Sequence, residues 1–267
     1  MSDYIISLKC DKDLGNINFV RDFLESWLEH PIKTLRPDKY DFGEPVRKPF
    51  DSKSCSEAID SWVERGRAVM LKRSKKPSFL ADLQWRRERG KDSRLFPWGA
   101  TVWLNKASGD DKAEALLEFL IEKMEPAFAY LSTEDDERQK HFVQYKDRIG
   151  MVEKYVGLEI GDTLSGIYWR TYLSEWAIEK LGGRSVLENL DCGFKALGSG
   201  VLVSAFEKSE EAQSEGSEIA ESDIVSVLGA DHFFDKKNFD PESLKVSKQT
   251  AKVIEEKVAT IKANGHS

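Results

Sequence analysis

The stretch that decides the fold is Leu164–Gly183, LSGIYWRTYLSEWAIEKLGG. Between Ile167 and Leu173, β-branched and aromatic side chains alternate with a period of two, which predicts a β-strand. Ser174 suits the N-cap of a short helix, because its hydroxyl can accept an otherwise unpaired backbone N–H. The Gly182-Gly183 pair supplies the left-handed residue that ends such a helix. Within the strand, Trp169 shares a face with Ile167 and is expected to point into the core.

Similar patterns extend in both directions from this unit. Helices are predicted from Asn16, from Ser54 or Ser56, and from Asp110 as far as Phe128. A highly charged helix is predicted at the end of the chain. This last helix is predicted over Ser243–Ala263. The predicted strands are Tyr4–Leu8, Arg67–Arg73, Ser78–Arg86, Trp98–Leu104, His141–Tyr145, Val201–Phe206 and Ile224–Leu228.

The order of these elements indicates the fold class. Strands joined by hairpins, with helices before and between them, predict an α+β fold. We expect one domain over residues 1–267, with an antiparallel or mixed β-sheet and helices packed mainly on one face. No internal repeat is present in the sequence.

Three segments lack clear periodicity. Residues 32–51 carry Pro37, Pro45 and Pro49 and are predicted to be an extended connection. Glu134–Glu137 is predicted to be an exposed acidic turn. Residues 207–223 contain seven carboxylates and Lys208 as their single basic residue, which indicates a mobile acidic loop.

Composition and charge exclude several classes of protein. With 40 basic and 47 acidic residues, the net charge of −7 argues against a general nucleic-acid binder and is compatible with a basic protein partner. Cys10, Cys55 and Cys192 form neither a disulfide framework nor a CxxC metal pair. The sequence contains no run of about 18 apolar residues and no signal-peptide pattern, so a cytoplasmic protein is expected.

The sequence carries no recognisable motif for catalysis or metal binding. The four histidines stand far apart in the sequence; His232 neighbours Asp231 and Asp235, a combination more typical of solvated loop groups than of metal ligands. Gly198-Ser199-Gly200 lacks the following residues of a phosphate-binding loop. A nuclease-type acid followed by Asp/Glu-x-Lys on a strand is missing, and nothing singles out a glycosidase pair. We therefore expect no catalytic residues, no cofactor and no metal.

Three features could instead form a surface for a partner. Large aromatic side chains are common at interfaces, although aromatic residues on a strand more often lie in the core. The basic loop Arg86–Arg94 and the acidic loop at 207–223 could be simple solvated faces. Of the aromatic candidates Trp98, Tyr168, Tyr172 and Trp176, the last two join the acidic loop in the predicted partner contact, which comprises Glu210, Glu211, Glu215, Glu218, Trp176 and Tyr172.

The order of segments between Phe79 and Phe206 adds a family resemblance. PWGATVWLN at Pro97–Asn105, a long amphipathic helix, the Leu164–Gly183 stretch and GSGVLVSAF at Gly198–Phe206 together resemble the immunity protein 52 family of bacterial polymorphic toxin systems. The chain departs from that pattern with Ser165, where a proline commonly precedes the glycine, and with its acidic insertion.

The resemblance implies a non-catalytic α+β protein that binds a toxin in the cytoplasm, including nuclease-type toxins, and blocks its active site or substrate entry. Two alternatives remain open from the sequence. One is an adaptor or scaffold of a secretion or phage-defence locus, and the other is an enzyme whose carboxylate site is scattered along the chain.

Overall fold

A computed structural model describes residues 3–10, 16–65, 68–85, 98–147, 150–158 and 163–240. The predicted helix Ser243–Ala263 and the whole basic loop Arg86–Arg94 lie outside these residues, as does the side chain of Trp98.

A ten-stranded sheet forms the centre of the described part of the chain, and every ladder in it is antiparallel. A separate two-stranded hairpin, β8–β9, stands apart from it. The strands are β1 (Tyr4–Cys10), β2 (Lys39–Asp41), β3 (Lys48–Pro49), β4 (Ala68–Arg73), β5 (Phe79–Trp85), β6 (Trp98–Leu104), β7 (Phe128–Thr133), β8 (Phe142–Asp147), β9 (Gly150–Tyr155), β10 (Arg170–Leu173), β11 (Gly193–Leu197) and β12 (Gly200–Ser204). Their order across the large sheet is β11-β12-β10-β7-β1-β6-β5-β4-β2-β3.

Helices cover both faces of the sheet. They are α1 (Ile17–Leu28), α2 (Ser54–Arg65), α3 (Asp110–Met124), α4 (Glu134–His141), α5 (Glu175–Lys180), α6 (Arg184–Leu187) and α7 (Glu215–Leu228). Along β1, Tyr4, Ile6 and Leu8 pack into one core with α1, α2 and α3, while Ile5 packs into a second core with α5, α6 and α7. The predicted α+β class with an antiparallel sheet is confirmed. The second layer of helices differs from the expectation that helices pack mainly on one face.

The stretch Leu164–Gly183 contains both the predicted strand and the predicted helix, but the strand is shorter than predicted. Ser174 caps α5 by accepting the N–H of Ala177 at 3.3 Å, and Gly182 and Gly183 follow the helix at positive φ. The strand begins only at Arg170, although the Trp169 carbonyl oxygen still accepts the N–H of Ala205 at 3.2 Å. Trp169 is fully buried, as predicted, but it packs in the first core whereas Ile167 packs in the second.

The region after α3 differs most from the prediction. The helix predicted to run to Phe128 ends at Met124, because Glu125 adopts a left-handed conformation with φ 43° and Pro126 follows. Residues 128–133 form β7, a wholly buried strand between β1 and β10. The predicted acidic turn at Glu134–Glu137 is the start of α4, capped by the Thr133 hydroxyl.

The acidic segment is also ordered rather than a loop. Residues 209–211 form a 3-10 turn, and α7 begins at Glu215 after the N-cap Ser214. The predicted strand Ile224–Leu228 is the last part of that helix, where Ile224 and Leu228 lie one turn apart and are both buried. Within the extended connection at 32–51, β2 and β3 add two short strands to the edge of the sheet.

Candidate functional site

A pocket of about 720 Å³ opens between α4, the segment 165–167, α7 and the segment 230–237. We call it the α4–α7 pocket. Its walls combine charged, hydroxyl and aromatic side chains. Those used below are Asp136, Lys140, His141, Ser165, Ile167, Glu218, Glu221, Val225, Phe233, Phe234, Asp235, Lys236 and Lys237.

One lysine links three elements in this pocket. Lys140 Nζ donates to Asp136 Oδ2 at 3.0 Å, to Glu221 Oε1 at 2.8 Å and to the carbonyl oxygen of Ile167 at 2.9 Å. The side chains of Asp136 and Glu221 are 4% and 12% exposed, so two mostly buried carboxylates share one ammonium group. Burial raises the pKa of Glu221 to about 7; Lys140 opposes this shift and Asp136 adds to it.

His141 is a fully bonded core residue. Its Nδ1 lies 2.7 Å from the carbonyl oxygen of Val156, and its Nε2 lies 2.5 Å from the Tyr168 hydroxyl. Because a carbonyl only accepts, Nδ1 carries the proton of the neutral ring and Nε2 accepts from Tyr168. Burial lowers the pKa of His141 to about 4, which keeps the ring neutral near pH 7.

Ser165 leaves a buried polar atom in the wall. The residue is 3% exposed, and its hydroxyl, although close to that of Tyr168, makes no hydrogen bond of acceptable geometry. An unsatisfied buried hydroxyl costs about 1–3 kcal/mol, so most such groups in native structures have a partner. The Ser165 hydroxyl therefore retains hydrogen-bonding capacity in the pocket wall.

The four glutamates predicted to contact a partner have different surroundings. Glu211 accepts the backbone N–H groups of Glu207 and Lys208 at 3.2 and 3.4 Å, which closes the 3-10 turn. Glu218 accepts from Gln139 Nε2 at 3.1 Å and remains exposed at the rim of the α4–α7 pocket. Glu210 and Glu215 are exposed.

The predicted aromatic contacts do not join these glutamates. Tyr172 is 1% exposed and packs in the first core, so its expected exposure is wrong; Tyr168 is buried as well. Trp176 is 39% exposed. It follows the Leu173 end of β10, whereas the guanidinium of Arg170, at the other end, donates to the carbonyl oxygen of Glu207 at 3.1 Å. The predicted surface is therefore divided between opposite ends of one strand.

The outer side of α7 forms a surface that the sequence did not predict. Ile219 and Val227 are 55% and 41% exposed, and with Asp223 between them they lie at four-residue spacing. Glu215 continues the same stripe toward the start of the helix. We call these four residues the α7 outer stripe. The i, i+4 pattern could have been found in the sequence if residues 215–228 had been recognised as a helix.

The histidine considered as a metal ligand has no supporting cluster. Across the described residues, no group of three or more His, Cys, Asp or Glu side chains is arranged to hold a metal ion. Asp235, the neighbour of His232, instead accepts the N–H of Lys237 at 2.8 Å and caps a 3-10 turn.

Comparison with known proteins gives a structural likeness. The chain is similar to the solved structure of a Pseudomonas aeruginosa type VI secretion system (T6SS) protein, PA0821, with a TM-score of 0.57 and 12% sequence identity over 87% of this chain and 73% of that one. At this identity the likeness concerns the fold alone. No protein-family model and no curated protein matches the chain, so membership of the immunity protein 52 family is not supported by a family match and stays a prediction.

The helices fall short of the requirements of a membrane span. In the part of the chain that the structure describes, none is both long enough and apolar enough to cross a bilayer.

Proposed function

We propose that this chain is the immunity component of a type VI secretion locus, and that it neutralises a cognate toxin in the cytoplasm by stoichiometric binding. The fold it shares with a T6SS protein supports the locus. The segment pattern at 79–206, which resembles the immunity protein 52 family, supports the role. In this proposal the chain turns over no substrate and needs no cofactor.

The α7 outer stripe is the observation that carries the proposal. Two large apolar side chains, Ile219 and Val227, are exposed on a helix whose opposite side is anchored in the core by Ile224 and Leu228. Exposed apolar groups surrounded by polar ones are typical of protein interfaces. A helix held from behind in this way presents its outer stripe without a further ordering cost.

The charges around the stripe select the partner. Glu210, Glu215, Glu218 and Asp223 are exposed on the 3-10 turn and on α7, within a segment whose one basic residue is Lys208. Such a surface attracts a basic protein and speeds its association. A nuclease-type toxin has this chemistry, because its substrate-binding surface must attract phosphates. The bound immunity protein would then cover the toxin's active site or the path to it.

Co-expression with any toxin-like protein that a neighbouring gene encodes tests the proposal. We expect the wild-type chain to rescue growth and to form a one-to-one complex with the toxin. Ile219→Asp should abolish rescue, because it places a desolvated charge at the centre of the contact. The melting temperature should hardly change, since the side chain is 55% exposed.

Two variants with the same change in net charge test whether the acidic surface attracts the toxin electrostatically, apart from the direct contact made by the α7 outer stripe. One variant carries Gln or Asn at Glu210, Glu215, Glu218 and Asp223. The other carries them at Asp22, Glu25, Glu29 and Glu122, which are exposed on α1, at its C-cap and on α3. We expect the first to slow association and reduce its dependence on salt, and the second to do neither. Equal association rates for both variants would exclude steering by this surface. Binding without rescue would indicate an adaptor, and absence of binding by the wild-type chain would contradict the proposal.

A further inference from the structure

We infer that the α4–α7 pocket accepts one basic side chain, of lysine or arginine, from the bound toxin. The inference rests on the proposed function, because it specifies which chemistry of the partner the chain recognises. Three independent features of the pocket support it: the balance of charge, an unpartnered buried hydroxyl, and apolar walls.

The charge balance inside the pocket lacks one cation. Asp136 and Glu221 are two mostly buried carboxylates, and Lys140 is the one ammonium between them. At the rim, the formal charges of Glu218 and Asp235 balance those of Lys236 and Lys237, and His141 is neutral near pH 7. A buried carboxylate without a full counter-charge is costly, so a second cation beside Glu221 would stabilise this arrangement.

Lys140 alone cannot supply the charge and hydrogen-bond donors that the two buried carboxylates require. An ammonium group has three donors, and all three of Lys140 are used, on Asp136, Glu221 and the carbonyl oxygen of Ile167. One of the rim cations is also held elsewhere, because Lys236 Nζ donates to the carbonyl oxygen of Gln139 at 2.8 Å. An incoming ammonium or guanidinium would bring the missing donors.

Ser165 offers a second acceptor. Its hydroxyl oxygen is buried in the pocket wall and has no hydrogen-bond partner. The segment that carries it also supplies the Ile167 carbonyl oxygen bound by Lys140. Ser165 and Glu221 both line the α4–α7 pocket, so a basic group that enters beside Glu221 could also donate to the Ser165 oxygen.

The walls suit the carbon stem of such a side chain. Ile167 and Phe233 are buried in the second core, and Val225 and Phe234 lie half-buried beside them. Long basic side chains pack their methylene groups on apolar surfaces of this kind, and aromatic faces attract the cation. Glu221 faces away from Ile219 and Asp223 on α7, because residues two apart on a helix point to opposite sides. Glu218, however, belongs both to the exposed acidic surface and to the rim of the pocket, so a partner held by that surface is next to the pocket.

The titration of Glu221 fits this arrangement and supplies a signal for its test. With a pKa of about 7, the carboxyl is partly protonated at neutral pH. A cation that enters stabilises the ionised form and lowers this pKa, so binding should release a proton. Lys140, Asp136 and Glu218 are the charged groups that act on Glu221.

Small-molecule probes test the pocket without the toxin. N-acetyl-arginine amide and N-acetyl-lysine amide carry the basic side chain, and N-acetyl-citrulline amide is the uncharged match of the first. We expect the two basic probes to bind with a Kd of about 1 mM and to release protons in calorimetry in buffers of different ionisation enthalpy. Because Glu221 must be ionised, the affinity should rise about tenfold between pH 6 and pH 8. The citrulline probe should not bind.

Two variants locate the site. Glu221→Gln should remove both the proton release and the dependence of affinity on pH. Ser165→Ala should weaken the basic probes about fivefold while leaving the protein at least as stable, because it removes an unsatisfied hydroxyl. Glu122→Gln, on α3, is the control and should bind the probes like the wild type. If Glu221→Gln does not fold, Ser165→Ala and the pH profile of the wild type still decide the question.

The outcomes distinguish this inference from the proposed function. Basic probes that do not bind, or that bind equally well to Ser165→Ala and to the wild type, would overturn the pocket inference even if the chain neutralises a toxin. Probe binding as expected, together with failure to bind or neutralise the toxin, would uphold the pocket's preference for a basic group and contradict the proposed function.

Discussion

His141 and Tyr168 share a hydrogen bond of 2.5 Å between the ring Nε2 and the phenol oxygen. The bond joins the end of α4 to the residues that lead into β10. The Tyr168 ring also stacks on Tyr130 of β7 with 3.8 Å between ring centroids. A neutral histidine therefore holds α4 against the sheet. Because the ring must stay neutral, the free energy of unfolding should depend on pH.

Acidification should destabilise the protein through His141. Its pKa is about 4 in the folded state and about 6.5 when unfolded, so between these values the unfolded chain binds more protons. The stability that His141 contributes is complete above pH 6.5 and is lost as the pH falls toward 4. The free energy of unfolding of the wild type, relative to His141→Gln, should fall by up to about 1.4 kcal/mol per pH unit in this window. Urea denaturation from pH 4 to 8 measures it, and parallel profiles would contradict it.

Glu221 should show the opposite dependence. Its pKa is about 7 in the folded state and 4.5 for an unperturbed glutamate, so here the folded protein binds more protons. Its contribution is complete below pH 4.5 and is lost as the pH rises through 7. Relative to Glu221→Gln, the wild type should therefore lose stability as the pH increases over this range. A difference that grows with pH would show that Glu221 is ionised in the folded protein throughout.

Replacing Trp169 should have a large effect on stability. Its side chain is fully buried against Tyr4, and its indole N–H donates to the carbonyl oxygen of Glu207 at 3.1 Å. Trp169→Ala should lower the free energy of unfolding by about 3–5 kcal/mol. Trp176→Ala, in a side chain that is 39% exposed, is the control and should cost less than about 1 kcal/mol. Similar denaturation midpoints for the two variants would refute this placement.

Gly200 lies at the start of β12, tightly packed against the end of β10. A Cβ atom at this position would stand 2.2 Å from the carbonyl oxygen of Leu173 and 2.7 Å from the Tyr172 hydroxyl oxygen. Because the nearer atom is backbone, the two strands would have to separate, and Gly200→Ala should cost about 1–3 kcal/mol or more. At Gly193, on β11, the nearest atom would be 3.5 Å away, so Gly193→Ala should be tolerated. Thermal denaturation of the pair measures the contrast, and equal melting temperatures would rule out the close approach.

Local signals in the sequence predicted many elements correctly. Asn16 does cap α1, accepting from the N–H groups of Asn18 and Phe19, and Ser174 does cap α5. These features depend on a few neighbouring residues, so a single sequence is enough to reveal them. The strands β4, β5 and β6 were found for the same reason, since their apolar positions alternate.

Elements whose character depends on distant partners were missed. Residues 128–133 are buried on both faces, so β7 has no alternation and resembles a continuation of α3. The many carboxylates of α4 and α7 indicated side chains exposed to solvent. Asp136 and Glu221 are nevertheless mostly buried, where both accept hydrogen bonds from Lys140. The α4–α7 pocket combines residues 136 to 237, and no spacing rule could assemble groups so far apart in the chain.

The central position of β1 has a consequence for biosynthesis. Tyr4 pairs with Leu104 of β6 on one side and with Thr133 of β7 on the other. Since a ribosome makes the chain from the N-terminus, Tyr4–Cys10 leaves the exit tunnel long before either partner strand exists. Its apolar residues must wait, unpaired on both edges, while about a hundred further residues are added, and contacts this distant in sequence form slowly. We therefore expect β1 to complete its pairing, and the centre of the sheet to close, only after β7 has been synthesised.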